Sequence, residues 1–412
     1  MEAKGEINLV NGQTTFMLYR AVLSEDSEGS MSNESKKLLN VALSPMSIAL
    51  ALAVVSGGSA GNTLTEILNV LRLPTNLAAA HSSLAFLRRN LLGGPTSAST
   101  SDSAAVKVQI ATGLWVTDQL PLKKEYEDHV AMYEGRVVPA DFVRAASQVR
   151  EEINQWVSNQ TSGKIQEAVP EGLLCKTSVF LLVNALYFKG SWQEVFPKQY
   201  TAPGNFMIPA KGGGLETVSV PMMWNEGMYR IGKQNGFRIL RLPYQVGGAE
   251  DRRQLAMYIF LPDEVDGLAK MEGSLTAELL EESFENMSDS YLDKLLLPKF
   301  KVASGLNLNQ PLKDIGMKST FDSQVSDFIK LFDCQCGGIC ISNVLHNARV
   351  EVDEEGTVAA AATVVEAQMG CSMFRPPPKE FIVDHPFLFM IREDTSGMTL
   401  FLGRVVDPKA SD

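Results

Sequence analysis

The chain has 412 residues, 45% hydrophobic and 21% charged, a globular balance that excludes a disordered, collagen-like or small disulfide-stapled protein. Its net charge of −11 argues against a dedicated nucleic-acid or heparin binder. The length allows two or three domains, but no repeat or linker divides it, so a single domain over 1–412 is expected.

The first half reads as mostly helical. Apolar residues recur at helical spacing over 7–23, and Ser44-Pro45 is an N-cap followed by proline at the first helical position of a helix over 46–55. Helices over 63–71, 78–92 and 147–159 follow. Polar breaks at 24–37 and 93–104 read as surface loops. Residues 106–116 alternate like a half-buried strand, and 178–188 is apolar on both faces, which places it mid-sheet. Later strands are expected at 254–261, 295–302, 349–352, 387–392 and 399–405. Helices first and strands later, without strict alternation, indicate an α+β fold.

No residue pattern carries metal or cofactor chemistry. Cys334, Cys336 and Cys340 lack a fourth matched ligand for zinc, and the four histidines form no HExxH pair. Gly163-Lys164 precedes Ile165, so it is no phosphate-binding loop. Gly57-Gly58-Ser59-Ala60-Gly61 matches the G-x-S-x-G elbow of hydrolases, but a helix precedes it where an elbow needs a strand. It therefore reads as an interhelical turn, and a hydrolase using Ser59 is the outlying hypothesis. Five cysteines (Cys175 and Cys371 are the others) make no disulfide framework. Reduced thiols and a mixed-charge start without an apolar leader point to the cytoplasm, or to secretion if a leader has been removed. No run of about 18 apolar residues exists for a membrane span.

The informative segment is Glu354, Glu355, Gly356, Thr357, Val358, Ala359, Ala360, Ala361, Ala362 and Thr363. Four alanines favour helix. Strand parity offers another use: Thr357, Ala359, Ala361 and Thr363 then share one small-residue face that slides over a packed core. Gly356 supplies a hinge, and Pro376-Pro377-Pro378 blocks pairing on the far side.

This segment resembles the hinge of the reactive-centre loop in serpins. Asn40 to Ile48 (NVALSPMSI), Ile153-Asn154 with Trp156-Val157, Thr161 and Gly163-Lys164-Ile165 are similar to motifs of that family. So are Asn184 to Trp192 (NALYFKGSW), Leu297 to Phe300 (LPKF), Asp384 to Phe389 (DHPFLF) and Phe401 to Val405 (FLGRV), in family order. One departure is Ala111-Thr112-Gly113-Leu114-Trp115, where the family usually has Ala-Asn-x-Leu-Phe; it is expected in a core strand, apart from the inhibitory machinery.

The resemblance implies about nine helices and three sheets, with an exposed reactive-centre loop at about 354–378. It implies a monomer that is not an enzyme and whose partner is a target protease, with no nucleic acid, membrane or cofactor. Cleavage of the loop forms an acyl-enzyme, the loop inserts into the central sheet, and the protease is trapped. Glu354 to Thr363 match the hinge. Trp192, Lys299 and Glu354 match the breach at the loop entry, and Ser44, Ser47, Asn184 and His346 the shutter where the central strands part. Counting from the hinge places the scissile bond at Gly370–Cys371, or at Met369–Gly370 for a loop one residue shorter. Such a bond suits elastase- or chymotrypsin-like serine proteases. Papain-like cysteine proteases, or a non-inhibitory carrier, chaperone or storage role, are the alternatives. Arg88-Arg89 is only a basic pair, so heparin activation is not expected.

Overall fold

The computed structural model describes residues 2–24, 39–73, 77–92, 106–210, 212–246, 253–333, 338–356 and 377–410. The expected polar loops lie almost wholly outside these residues, as do Thr357 to Thr363, Met369, Gly370 and Cys371. The helices are α1 (Glu2–Ser24), α2 (Pro45–Gly58), α3 (Gly61–Leu71), α4 (Leu77–Leu92), α5 (Lys124–Met132), α6 (Ala146–Gln160), α7 (Leu268–Ser274), α8 (Ala277–Glu285) and α9 (Asn309–Asp314). These are nine α-helices among the described residues, as expected.

Five strands make the smaller sheet, in the order β10 (Phe300–Asn307), β11 (Asn343–Val352), β4 (Phe180–Lys189), β2 (Lys107–Thr117) and β3 (Arg136–Ala140). The larger sheet has nine strands: β1 (Val41–Leu43), β5 (Ala202–Pro209), β6 (Leu215–Gln234), β7 (Phe237–Pro243), β8 (Leu255–Pro262), β9 (Ser288–Pro298), β12 (Glu380–Ile382), β13 (Phe387–Glu393) and β14 (Met398–Val405). The three expected sheets are thus hydrogen-bonded as two. The cause is β6, a 20-residue strand that pairs with β5 at one end and β7 at the other. A register shift between Asn225 and Gly227 bends it without breaking its ladder to β9.

A second difference bears on the site. The single strand expected over 295–302 is split at Lys299, with β9 in the larger sheet and β10 in the smaller. Lys299 N donates to Pro221 O at this corner, 2.9 Å away. The side chain of Lys299 therefore stands where the two sheets meet.

Helix α2 packs against β14 of one sheet and β4 and β2 of the other. That explains its composition, since a helix enclosed on all sides has no use for a polar stripe. Along β4 the parity divides two cores. Phe180, Leu182, Leu186 and Phe188 join the main core, while Leu181, Val183 and Ala185 join a second core beneath α6. Strand β4 is covered on both faces, as its unbroken apolar run requires.

Candidate functional site

At the centre of the smaller sheet β4 and β11 are parallel neighbours, although their outer partners β2 and β10 are antiparallel to them. Seven residue pairs join them, from Asn343↔Leu181 to Arg349↔Tyr187. Both strands continue past Tyr187 and Arg349, to Lys189 and Val352, without pairing to each other. The seam is therefore zipped through its middle and split at one end.

At the split end the chain following β11 folds into a tight turn. Asp353 N donates to Gly356 O at 3.0 Å, and Gly356 N to Asp353 O at 3.1 Å. Gly356 has φ +102°, and an added Cβ would lie 2.4 Å from Gly190 O and 2.5 Å from Trp192 N. Both contacts are backbone, so only glycine fits this turn. The turn is pinned to the segment after β4: Trp192 N donates to Glu355 O and Phe196 N to Glu354 O. Trp192, 1% exposed, stacks on Tyr244 and donates its indole N–H to Asp353 O at 3.0 Å.

Two ion pairs close the turn from outside. Lys299 Nζ lies 2.8 Å from Glu354 Oε2, and Lys198 pairs with Glu355. Burial works to raise the Glu354 carboxyl, but hydrogen bonds led by that from Lys299 outweigh it and hold the group below the usual carboxylate range.

A polar cluster lies at the middle of the seam. His346 and Asn184 are register partners across β11 and β4. Ser44 N donates to His346 Nε2 at 2.9 Å, so the ring proton sits on Nδ1, which donates to Asn184 Oδ1 at 2.8 Å. Ser47 Oγ donates to the same Oδ1 at 2.7 Å, and Ser44 Oγ caps α2 by accepting from Ser47 N. Asn184 Nδ2 donates to Thr112 Oγ1 on β2 at 3.1 Å. The cluster ties three strands and a helix N-terminus together, and parting β4 from β11 breaks its His346–Asn184 bond. Burial lowers the His346 pKa to about 3, so the ring is neutral.

The match to known proteins agrees with this geometry. The family model described as serpin (serine protease inhibitor) matches residues 13–408. Serpin-Z2A of Triticum aestivum is 35% identical, covering 92% of this chain and 93% of the relative. Serpin-ZXA of Oryza sativa subsp. japonica is 36% identical over 90% of each.

The chain belongs to the serpin family.

Among solved structures, Arabidopsis AtSerpin1 in its native stressed conformation aligns over 100% of both chains with TM-score 0.84 and 29% identity. Uncleaved ovalbumin aligns with TM-score 0.80 and 27% identity, over 98% of this chain and all of its own. Serpins are generally protease inhibitors rather than enzymes, which makes a protease the general class of partner.

The described site residues fall into two groups in this serpin. Trp192, Lys299 and Glu354 meet at the split end, together with Glu355 and Gly356. Ser44, Ser47, Asn184 and His346 meet at the middle of the seam. Thr112 corrects the expectation that this departure lies apart from the inhibitory machinery: it stands at the usual asparagine position and is hydrogen-bonded into the cluster. That departure from the family pattern was itself the signal. Ser59 is fully buried and its Oγ donates to Ser56 O, so Gly57 to Gly61 form a helix–helix turn as expected.

A lid covers the seam. Helix α6 packs through Val149, Ile153 and Val157 into a core that includes Ala111 of β2, Val183 of β4 and Leu345 of β11. The chain after α6 is tied to β11: Lys164 pairs with Glu351 at 3.1 Å, Arg349 donates to Lys164 O and Asn347 to Ala168 O. No helix among the described residues is long and apolar enough to cross a membrane.

Proposed function

We propose that this serpin, working as a single domain over 1–412, inhibits serine proteases as a suicide substrate. The observation that carries the reading is the seam. Two parallel central strands are joined by a seven-pair ladder and one polar cluster, and the loop departs from a glycine turn at the split end. A strand descending from Gly356 between β11 and β4 runs antiparallel to both, which converts one parallel ladder into two antiparallel ones. Strand addition of this kind is the known mode of serpin loop insertion.

In this reading Glu354, Glu355 and Gly356 are the fixed root of the hinge. Thr357, Ala359, Ala361 and Thr363 form its small-residue face, and Val358, Ala360 and Ala362 the other. Trp192, Lys299 and Glu354 hold the entry shut, while Ser44, Ser47, Asn184 and His346 hold the seam shut until the strand arrives. The scissile bond is Gly370–Cys371, with Met369–Gly370 the one-residue alternative. Neither offers a basic P1, so elastase- or chymotrypsin-like enzymes are the preferred targets. Met369 as a hydrophobic P2 favours a papain-like cysteine protease as the second reading. The uninterrupted run Ala359 to Ala362 favours inhibition over a carrier, chaperone or storage role.

The test is to mix the protein with elastase, chymotrypsin, trypsin and a papain-like cathepsin, then run denaturing gels and mass spectrometry. An SDS-resistant complex with elastase or chymotrypsin, releasing a peptide that begins at Cys371, is expected. A complex with the cathepsin alone selects the second reading. Cleavage by all four without any complex removes the inhibitory reading.

A further inference from the structure

Away from the seam, a buried and a half-buried histidine join α4 to the body of the molecule. His81 of α4 and His129 of α5 meet edge to face, with ring centroids 4.7 Å apart. His81 Nδ1 is 2.5 Å from the Tyr133 hydroxyl, and its Nε2 is 3.5 Å from Ser56 Oγ on α2. Ser56 Oγ donates its own proton to Ala53 O at 2.7 Å. The Ser56 oxygen is then the acceptor for His81 Nε2–H, which leaves Nδ1 to accept from Tyr133. His129 Nε2–H donates to the same Ala53 O at 3.1 Å.

The fold makes room for this arrangement. A Cβ on Gly57 of α2 would lie 2.1 Å from His129 Cδ2, so the imidazole rests directly on the helix backbone. Tyr126 stacks on His129, with ring centroids 6.2 Å apart.

The one influence among the described residues favouring a positive charge is the hydrogen bond from His129 to Ala53 O, and burial outweighs it. From α2 the rings meet Ser56, the Gly57 backbone and the Ala53 carbonyl; from α5 and its C-cap they meet Tyr126, Tyr133 and each other. Among the described residues no carboxylate shifts either ring: burial lowers His81 to about 4, helped by His129, and burial also lowers His129. Two charged groups on or against α4 are already engaged. Arg88 pairs with Glu134 at 2.7 Å, and Arg253 donates to Leu91 O.

We propose that His81, His129 and Tyr133 form a proton-operated latch that seats α4 on α2 and α5 at neutral pH and releases it in acid. A proton on His81 Nδ1 reverses the Tyr133 contact: the cationic ring can only donate, so the phenol must turn to accept and its own proton loses the partner it had. It also sets a buried charge beside a second imidazole. Opening of α4 carries the ring to water, where it holds the proton at its ordinary pKa. The α4 open state therefore gains population at close to tenfold per pH unit below about 6.5, until the seated ring itself titrates.

The test is hydrogen exchange of residues 77–92 from pH 7 to pH 4, corrected for intrinsic exchange, on the full chain. The wild type is expected to lose protection in α4 steadily with acid while β4 and β8 stay protected. His81→Gln, which keeps a hydrogen-bonding side chain but does not titrate, is expected to flatten that slope. Tyr133→Phe removes a bond that stabilises only the neutral seated ring, so α4 is expected to open more at neutral pH and its acid slope to level off at a higher pH. Unchanged α4 protection in the wild type across this range overturns the latch. So does a slope that persists in full in His81→Gln. If His81→Gln fails to fold, Tyr133→Phe decides: a slope that levels off no earlier than in the wild type overturns the latch.

Discussion

Replacing His346 by glutamine tests the seam at its centre. The imidazole is fully buried, accepts from Ser44 N, and donates to Asn184 Oδ1. Glutamine offers a carbonyl and an amide for the same two partners, but with poorer reach. At about pH 7.5 the cost is on the order of 1–3 kcal/mol, the range for one buried donor left badly satisfied. Acid changes the comparison. The folded pKa, about 3, lies below the ordinary 6.5, so burial of the neutral ring favours the fold fully above 6.5. That contribution is lost as pH falls from 6.5 toward 3. At about pH 4.5 the loss is two pH units at 1.36 kcal/mol each, or roughly 3 kcal/mol. Glutamine loses none of it. Urea unfolding followed by tryptophan fluorescence should therefore show His346→Gln less stable than wild type at neutral pH, with the gap closing or reversing near pH 4.5. Parallel pH profiles for the two proteins would refute the assignment of a buried neutral ring at the seam.

Two further outcomes follow from the seam and its root. Nicking the loop near Gly370 should raise the thermal unfolding temperature. One added strand supplies a second ladder comparable to the existing seven pairs, about 7 kcal/mol and some 8 °C from hydrogen bonds alone; differential scanning calorimetry showing no rise would count against insertion. Gly356→Ala should cost at least about 1–3 kcal/mol through its positive φ and strip exchange protection from the Trp192 amide; an unchanged amide would show that the turn does not pin that segment.

The sequence by itself determined the family, the helices of the first half except α5, and the identity of most residues at the seam. Local physics made these legible. Ser44-Pro45 is a cap signal whatever surrounds it, and the apolar run of β4 demands cover on both faces. The short helices α7, α8 and α9 and the strands β5 to β7 carried no comparable signal. Their pairing is fixed by neighbours far along the chain, as in the long β6 that joins two groups of strands.

Only the tertiary structure decided how the polar residues meet. Lys299 reaches Glu354 because the chain leaves one sheet for the other at that residue, a break that the apolar pattern over 295–302 does not mark. Thr112 enters the cluster because β2 lies beside β4 in a register that sets it opposite Asn184. His81 and His129 are 48 residues apart and unremarkable in sequence; Gly57 brings them together by leaving space on α2 for an imidazole. A hydrogen-bond partner across a sheet or between helices is set by register and packing, and neither can be read from composition or spacing along the chain.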